Sequence, residues 1–176
     1  GVDTDRLGSR YISARTIFLS IGHDEYWSGP QRANVEAARS NGTSLIFWSG
    51  NEVYWKIRWE SSHRTMVCYK ESRSHTKIDP VSDVWTGTWR DSRSINPEGT
   101  RPENALTGTL YVVDTWRNEP IVVPWRYSKH WFWAHTRVAA LAENESCILK
   151  TGLLGHETDE DIANGFRPHG LQRLSE

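Results

Sequence analysis

Two short apolar segments separated by a helical pattern are the feature that most constrains the fold of this chain. Residues 16–22 and 43–50 are nearly continuous hydrophobic runs, a pattern typical of strands buried on both faces of a parallel sheet. Between them, Ser28 lies where an N-cap is needed, and residues 29–40 carry a small apolar face. A strand, a helix and a second strand in this order predict a right-handed βαβ unit.

The remainder of the chain is predicted to add antiparallel hairpins and loops to this core. Residues 55–60 alternate apolar and polar side chains, residues 65–70 are rich in strand formers, and a turn separates them. Residues 71–108 are polar and turn-rich, and loops of this length are usually functional. We predict an α/β fold in a single domain or part of one, with a βαβ core at 16–51, a loop-rich remainder at 55–160 and an irregular tail at 164–176.

The composition argues against several classes of partner. The chain has 176 residues, with 21 basic and 22 acidic side chains and a formal net charge of −1, so no bulk field favours nucleic acid or an anionic membrane. Its apolar runs are too short to span a bilayer, and no signal-peptide pattern opens the sequence. We therefore expect a cytoplasmic protein with neither nucleic-acid nor membrane partners.

Cysteine and tryptophan each leave two interpretations open. Cys68 and Cys147 lack Cys-x-x-Cys spacing, which argues against a zinc knuckle, whereas a single disulfide between them stays possible. Ten tryptophans are spread along the chain. They fit a core built from large rings, which is the commoner case, or a stacking surface for sugars or other planar ligands.

Polar side chains follow both predicted strands at the point where each strand ends. Residues 23–26 read His-Asp-Glu-Tyr, and residues 51–54 read Asn-Glu-Val-Tyr. Because the carboxyl ends of parallel strands meet at one edge of a sheet, we expect both segments to face one crevice. His23 and Glu25 are two residues apart and would share a side of an extended segment. Such groups suit a metal such as iron, or acid–base chemistry without a metal.

Other kinds of catalytic site are not indicated. Neither strand end carries the Gly-x-Ser-x-Gly or Gly-x-Cys-x-Gly elbow of an α/β hydrolase. The phosphate-binding loop and the dinucleotide fingerprint are also missing from the sequence.

Several of these stretches together resemble the carboxyl-terminal domain of the N,N-dimethylformamidase large subunit, over about residues 16 to 159. The resemblance implies a hydrolase that cleaves a small amide. It also implies a fold similar to the class I glutamine amidotransferase, or flavodoxin-like, fold without its nucleophilic cysteine. The matching stretches are SIGHDEYWS at 20–28, FWSGNEVYWKIR at 47–58, MVCYK at 66–70, WRD at 89–91, PENAL at 102–106 and GLLGHE at 152–157.

The resemblance also implies roles for individual residues. The family holds a mononuclear iron with two tyrosines and one glutamate, and that glutamate corresponds to Glu25. His23 and Asn51 match polar residues that line the site, and Glu157 matches a further active-site acid. The family's two tyrosines lie upstream of this stretch, so we expect an incomplete iron site in this chain. A small partner subunit and a homo-oligomer are further expectations.

Two other functions remain open from the sequence. The chain could be a non-catalytic module that binds carbohydrate or protein through its tryptophans, with a structural role for the strand-end residues. It could also be a divergent hydrolase that acts on another small amide or nitrogen compound.

Overall fold

The computed structural model describes all of residues 1–176, which form two compact units. The first unit contains Gly1–Tyr111 and Asp159–Pro168, and the second contains Val112–Thr158 and His169–Glu176. Nowhere does the chain form a helix with the length and apolar character that a membrane span requires.

The first unit consists of short helices and strands, followed by a long segment with little regular structure. Its elements are α1 (Val2–Arg6), α2 (Ser9–Ser13), β1 (Ile17–Ser20), β2 (Tyr26–Ser28), α3 (Gly29–Ser40), β3 (Ser44–Phe47), β4 (Trp55–Glu60), β5 (Thr65–Val67), a 3₁₀ turn (Glu71–Arg73) and α4 (Asn104–Thr107).

The strands of this unit form two small sheets. β1 and β3 are parallel, with Ile17 opposite Ser44 and Ser20 opposite Phe47. In the other sheet, β4 lies between β2, to which it is parallel, and β5, to which it is antiparallel. The antiparallel hairpin predicted after residue 55 is therefore present.

The prediction of a flavodoxin-like core resembling the class I glutamine amidotransferase fold is wrong. Such a core needs several parallel strands with helices on both faces, whereas β1 pairs with β3 alone. Phe18, Leu45 and Phe47 pack against the hydrophobic core. On the other face of β1, Ile17 and Leu19 are 52% and 41% exposed. An unbroken apolar run predicts burial on both faces, but only one face of this strand pair is covered.

Helix α3 begins where the sequence predicts. Ser28 Oγ accepts a hydrogen bond from the Gln31 N–H at 3.1 Å, which confirms Ser28 as the N-cap, and a proline occupies the first turn. Its buried Val35 and Ala38 pack in the same cluster as the fully buried Trp27. The Trp27 ring meets the Phe18 ring edge-on, with centroids 6.0 Å apart. This cluster covers the inner face of β1 and β3.

A fully buried carboxylate, Glu71, organises the long irregular segment after β5. Its Oε1 accepts hydrogen bonds from the backbone N–H groups of Ile78 (2.9 Å) and Asp79 (3.0 Å) and from Lys77 Nζ (2.9 Å). Its Oε2 accepts from the Thr86 N–H at 2.9 Å and from the Thr86 hydroxyl at 3.2 Å. One side chain thus replaces the ladder of backbone bonds that a strand or helix would supply.

The electrostatics of Glu71 follow from these contacts. Burial alone would raise the pKa of this carboxyl group. Hydrogen bonds from the backbone of Asp79 and Thr86 and from Lys77 outweigh burial and hold the pKa of Glu71 below its usual value. The ionised form is therefore the one that stabilises the fold.

The second unit is smaller and has its own hydrophobic cluster. Val123, Val138 and Cys147 are buried at its centre. Its β7 and β8 pair antiparallel, with Val123 opposite Cys147. A further two-stranded sheet pairs β6 with β9. The remaining elements along the chain are β6 (Leu110–Asp114), β7 (Val122–Pro124), α5 (Trp125–Ser128), 3₁₀ turns at Trp131–Trp133 and Arg137–Ala140, β8 (Ser146–Ile148) and β9 (Glu157–Glu160).

We predict that Glu71→Gln lowers the free energy of unfolding by about 3 kcal/mol at neutral pH, because an amide turns an NH₂ group toward buried N–H donors and loses the charge. Urea denaturation followed by circular dichroism measures this. Asp83→Asn changes an exposed acid on the same loop and should leave the midpoint within error. Equal stability of the two variants would contradict the role given to Glu71.

Candidate functional site

The segments that follow β1 and β3 are tied together by their backbones. The Val53 N–H donates to the Asp24 carbonyl oxygen at 2.9 Å, and the Trp55 N–H donates to the Glu25 carbonyl oxygen at 2.7 Å. Because β1 and β3 are parallel, both segments leave the sheet at the same edge. The two polar stretches singled out in the sequence therefore lie side by side, and we call their side chains the strand-end cluster.

His23 is held by the second of these segments. Its Nδ1 lies 2.7 Å from the Gly50 carbonyl oxygen and 3.4 Å from Ser49 Oγ. A carbonyl oxygen only accepts hydrogen bonds, so Nδ1 carries the proton in this contact. In the neutral ring, Nε2 then carries the lone pair. It can therefore accept a proton from a reacting group.

Asn51 is buried and lies in a strained loop. Its φ is 57°, and that of the fully buried Val53 is 55°. A positive φ is uncommon for asparagine and costly for a β-branched residue, so surrounding contacts must hold the loop in place. One of them is the hydrogen bond from the Asn51 N–H to Asp159 Oδ1, at 2.6 Å. Strain of this kind often accompanies functional sites.

Glu52 places a carboxyl group fully inside the cluster. Its Oε2 is 3.1 Å from Ser20 Oγ, which is also 3.1 Å from Asp24 Oδ2. A serine hydroxyl has one proton, so it can donate to only one carboxylate at a time. Both contacts are satisfied when Glu52 is protonated and donates to Ser20, which in turn donates to Asp24. The other oxygen of Glu52, Oε1, is buried without a hydrogen-bond partner in the protein.

Burial and neighbouring charges favour this protonated form. Burial, and to a smaller extent the negative charges of Asp24 and Asp159, raise the pKa of Glu52 to about 7, against an opposing hydrogen bond from Ser20. Burial likewise raises the pKa of Asp159 to about 6, although hydrogen bonds from the Asn51 backbone and Thr109 oppose it. The pKa of Glu52 thus lies near neutral pH, and the pKa of the neighbouring Asp159 is raised toward it, a property common in catalytic sites.

The remaining two predicted site residues lie in different places. Glu25 is half-buried directly before β2, in the same segment as His23. Glu157 belongs to the second unit, where it is the first residue of β9. Asp114, His156 and Glu157 have potential metal-ligand atoms within 4.8 Å of one another, and Glu25 is not one of this group.

Two phenols, Tyr26 and Tyr54, are the last residues of the two strand-end segments, 23–26 and 51–54. The Lys70 ammonium nitrogen lies over the Tyr26 ring, 5.5 Å from the ring centroid. The Tyr54 ring packs edge-on against Trp55 and Tyr111, with centroids 5.0 and 5.1 Å away. These contacts position the rings and do not assign either phenol oxygen as a ligand.

The sequence places Glu52 at the predicted crevice without indicating a role for it, and it does not predict that Asp159 lies beside the cluster. Glu52 had a usable signal, because it is a carboxylate in the short polar segment that follows a buried strand. No sequence signal indicates Asp159, because it lies 108 residues along the chain from Asn51, whose backbone N–H donates to it.

A pocket of about 200 Å³ lies elsewhere in the first unit. None of the predicted site residues lines it. It is lined by Lys56, Trp85, Trp89, Asn96, Glu98, Gly99 and Arg101.

Comparison with known proteins agrees with the resemblance read from the motifs. The family model described as N,N-dimethylformamidase beta subunit-like, C-terminal, matches residues 1–176, the entire chain. The chain belongs to this family. No curated protein matches the sequence.

We predict that Glu52 makes the fold less stable as the pH rises. Below about pH 4.5 this carboxyl is protonated in both states, whereas between about 4.5 and 7 only the unfolded chain releases the proton. Glu52 alone should contribute a fall in stability of about 3 kcal/mol across this window. Urea unfolding at several pH values measures the slope, which should be smaller in Glu52→Gln, with the raised pKa of Asp159 supplying part of what remains.

The matched control for this experiment is Glu160→Gln, which changes an exposed acid of the first unit. It should retain the native pH slope. The same slope in Glu52→Gln and in the native protein would contradict the assignment of a protonated Glu52.

Proposed function

We propose, on the premise of this family membership, that the chain is the C-terminal catalytic-type domain of an amidohydrolase that cleaves a small amide. The observation that carries the proposal is the strand-end cluster, in which His23 and Asn51 lie on two segments joined by backbone hydrogen bonds. The family name supports the reaction class, and the protonated acids beside the cluster support acid–base chemistry.

His23 is proposed to act as the general base. Amide hydrolysis adds water to the carbonyl carbon and releases an amine, so one group must take a proton from water and one must protonate the leaving nitrogen. With Nδ1 donating to the Gly50 carbonyl oxygen, Nε2 can accept the first proton and deliver it to the amine. The exposed position of His23 leaves room for water and a small substrate.

Asn51 and Glu157 are proposed as supporting residues. The side-chain amide of Asn51 can donate a hydrogen bond to an amide oxygen, which gains negative charge as water adds. Its backbone is held by Asp159, so this donor is positioned before substrate arrives. Glu157 is proposed as a further active-site acid, on the family resemblance alone.

Glu25 is proposed as a ligand of a mononuclear iron, again on the resemblance. When bound, such an ion would polarise the substrate carbonyl or a water molecule as a Lewis acid. Glu25 belongs to no close group of three His, Cys, Asp or Glu side chains, so the ion's other ligands would be of another kind, as the family's two tyrosines imply.

The assembly and location are proposed on more general grounds. The words "beta subunit-like" in the family description support an enzyme of more than one kind of subunit, and we propose a small partner subunit and a homo-oligomer. Cys68 and Cys147 are both free thiols, which supports a reducing compartment and hence the cytoplasm.

A non-catalytic binding module is the main alternative. It would need an exposed aromatic surface. Trp27, Trp55, Trp85 and Trp89 are buried, which favours a structural role for those four rings, whereas Trp48, Trp116 and Trp131 are exposed and could take part in such a surface. A glycan-binding screen and an amide-hydrolysis assay on the same protein separate the two functions.

We predict that His23→Ala lowers kcat/KM for hydrolysis of N,N-dimethylformamide or formamide by at least a hundredfold, because general-base catalysis contributes about 10²–10⁴-fold. The assay measures amine release by the enzyme that contains this chain. The control is His75→Ala, an exposed histidine of the first unit, which should keep the native rate. A native rate in His23→Ala would remove His23 from the mechanism.

We further predict that Glu25→Ala lowers the iron content of the same purified enzyme and its activity together. Iron is measured by elemental analysis, and circular dichroism checks that the variant is folded. Unchanged iron per chain in the folded variant would contradict Glu25 as a ligand.

A further inference from the structure

We propose that the pocket between β4 and the loop at residues 96–101 binds a small monocarboxylate, which replaces the Glu98 side chain at the Lys56 ammonium group. The pocket has a volume of about 200 Å³ and lies within the first unit. Lys56 belongs to β4, and Glu98 belongs to the loop. No residue that lines the pocket has a part in the proposed amide hydrolysis, so this proposal does not depend on that function.

A buried ammonium group provides the central charge of the pocket. The Lys56 side chain is 6% exposed, and its Nζ donates to Glu98 Oε2. Burial lowers the pKa of Lys56, and the charges of Arg101 and Arg32 act in the same direction, whereas the hydrogen bond to Glu98 opposes them. An anion beside Nζ therefore stabilises the charged form. A lysine ammonium group has three N–H donors, so it can bind a ligand carboxylate as well as it binds a side chain.

Two arginines add positive charge beside Lys56, and all three cations lie against the ring of Trp89. Arg32 Cζ, Lys56 Nζ and Arg101 Cζ are 4.7, 5.2 and 5.6 Å from the ring centroid. Arg32 and Arg101 share one carboxylate, that of Glu36. The three cations thus have only two carboxylate partners, which favours a ligand that carries one negative charge.

The Glu98 carboxylate occupies the place that a ligand carboxylate would take. Its Oε2 accepts hydrogen bonds from Lys56 Nζ and from the Trp85 N–H, the latter at 2.9 Å. The buried Asn96 holds the backbone of the loop, because its side chain accepts from the Glu98 N–H at 3.0 Å and donates to the Gly99 carbonyl oxygen at 2.9 Å. The Glu98 side chain is 37% exposed, so it can rotate into solvent while the loop stays in place. A carboxylate that replaces it keeps Lys56 paired.

An unpartnered donor in the lining of the pocket is a second observation that points to a ligand. Trp89 is 3% exposed, and its indole Nε1 is buried without a hydrogen-bond partner in the protein. A buried N–H group costs free energy until an acceptor reaches it. Since Trp89 lines the pocket, a ligand with more than one acceptor oxygen can satisfy this donor as well as Lys56.

The size and lining of the pocket narrow the class of ligand. Its volume suits a molecule of a few non-hydrogen atoms. The indole rings of Trp85 and Trp89 offer apolar surface to a short alkyl group. The Arg101 side chain is 45% exposed, so positive charge at the pocket attracts an anion from solvent and repels a cation. Acetate has all of these properties and is the probe for the experiment.

The decisive experiment titrates the isotope-labelled chain with sodium acetate at constant ionic strength and follows backbone and indole N–H signals by NMR. We expect saturable shifts of the Trp85 backbone N–H and the Trp89 indole N–H, with a Kd on the order of millimolar for so small a ligand. Acetamide has the shape of acetate without its charge, and it should shift neither signal.

Two variants test the roles of individual charges. Glu98→Gln removes the competing carboxylate and should tighten acetate binding at least tenfold. Arg101→Gln removes the exposed cation and should weaken acetate binding at least threefold. Matched controls are Glu160→Gln and Arg10→Gln, which change exposed residues of the first unit and should bind acetate as the native chain does. Circular dichroism identifies a variant that fails to fold, and the other variant then decides.

Three results would overturn the site: no saturable acetate shifts at Trp85 and Trp89 in the native chain, equal shifts with acetamide, or native affinity in a folded Glu98→Gln or Arg101→Gln variant. Acetate shifts confined to residues 23–25 and 50–53 would likewise place the anion at the strand-end cluster. Because the readout is carboxylate binding, failure here leaves the amide-hydrolase proposal to its own assay.

Discussion

The two backbone hydrogen bonds between residues 24–25 and residues 53–55 are the contacts on which the candidate site depends. β1 and β3 are only four residues long and pair with no other strand, so the sheet alone would define the position of the following loops poorly. The hydrogen bonds to the carbonyl oxygens of Asp24 and Glu25 join the loops directly. They place His23 against the Gly50 carbonyl oxygen and hold Val53 at a positive φ inside the hydrophobic core.

The same arrangement explains the unusual electrostatics. Joining the loops buries Glu52 beside Ser20 and Asp24 and brings Asp159 to the Asn51 backbone, with no basic side chain among these contacts. Burial favours the protonated acid and is the largest cause of the raised pKa values of Glu52 and Asp159, and it outweighs the opposing charge of Arg90 at Asp159. Glu71 is equally buried, but donors surround it and its pKa falls. The chain therefore uses buried acids in two ways, one to fix a loop and one to retain protons beside a candidate site.

Local pattern predicted the local features, and the strand–helix–strand order predicted the parallel pairing of β1 with β3. The α3 cap at Ser28 follows from signals within a few residues. The flavodoxin-like core was wrong because an apolar run does not reveal which face of a strand is covered, as the exposed Ile17 demonstrates. The sequence motif predicted His23 as a site residue. Asp159 is distant in sequence and reaches the Asn51 backbone only when the chain is folded. The roles of the predicted site residues stay predictions until the assays are made.

The most direct test of the account is whether a small amide binds at the strand-end cluster. Titrating isotope-labelled protein with N,N-dimethylformamide and following backbone amide signals by NMR would locate the contact. The account predicts saturable shifts for residues 23–25 and 50–53, with little change at the pocket that contains Trp85 and Trp89. Saturable shifts confined to that pocket, or no saturable shifts at residues 23–25 and 50–53, would contradict it.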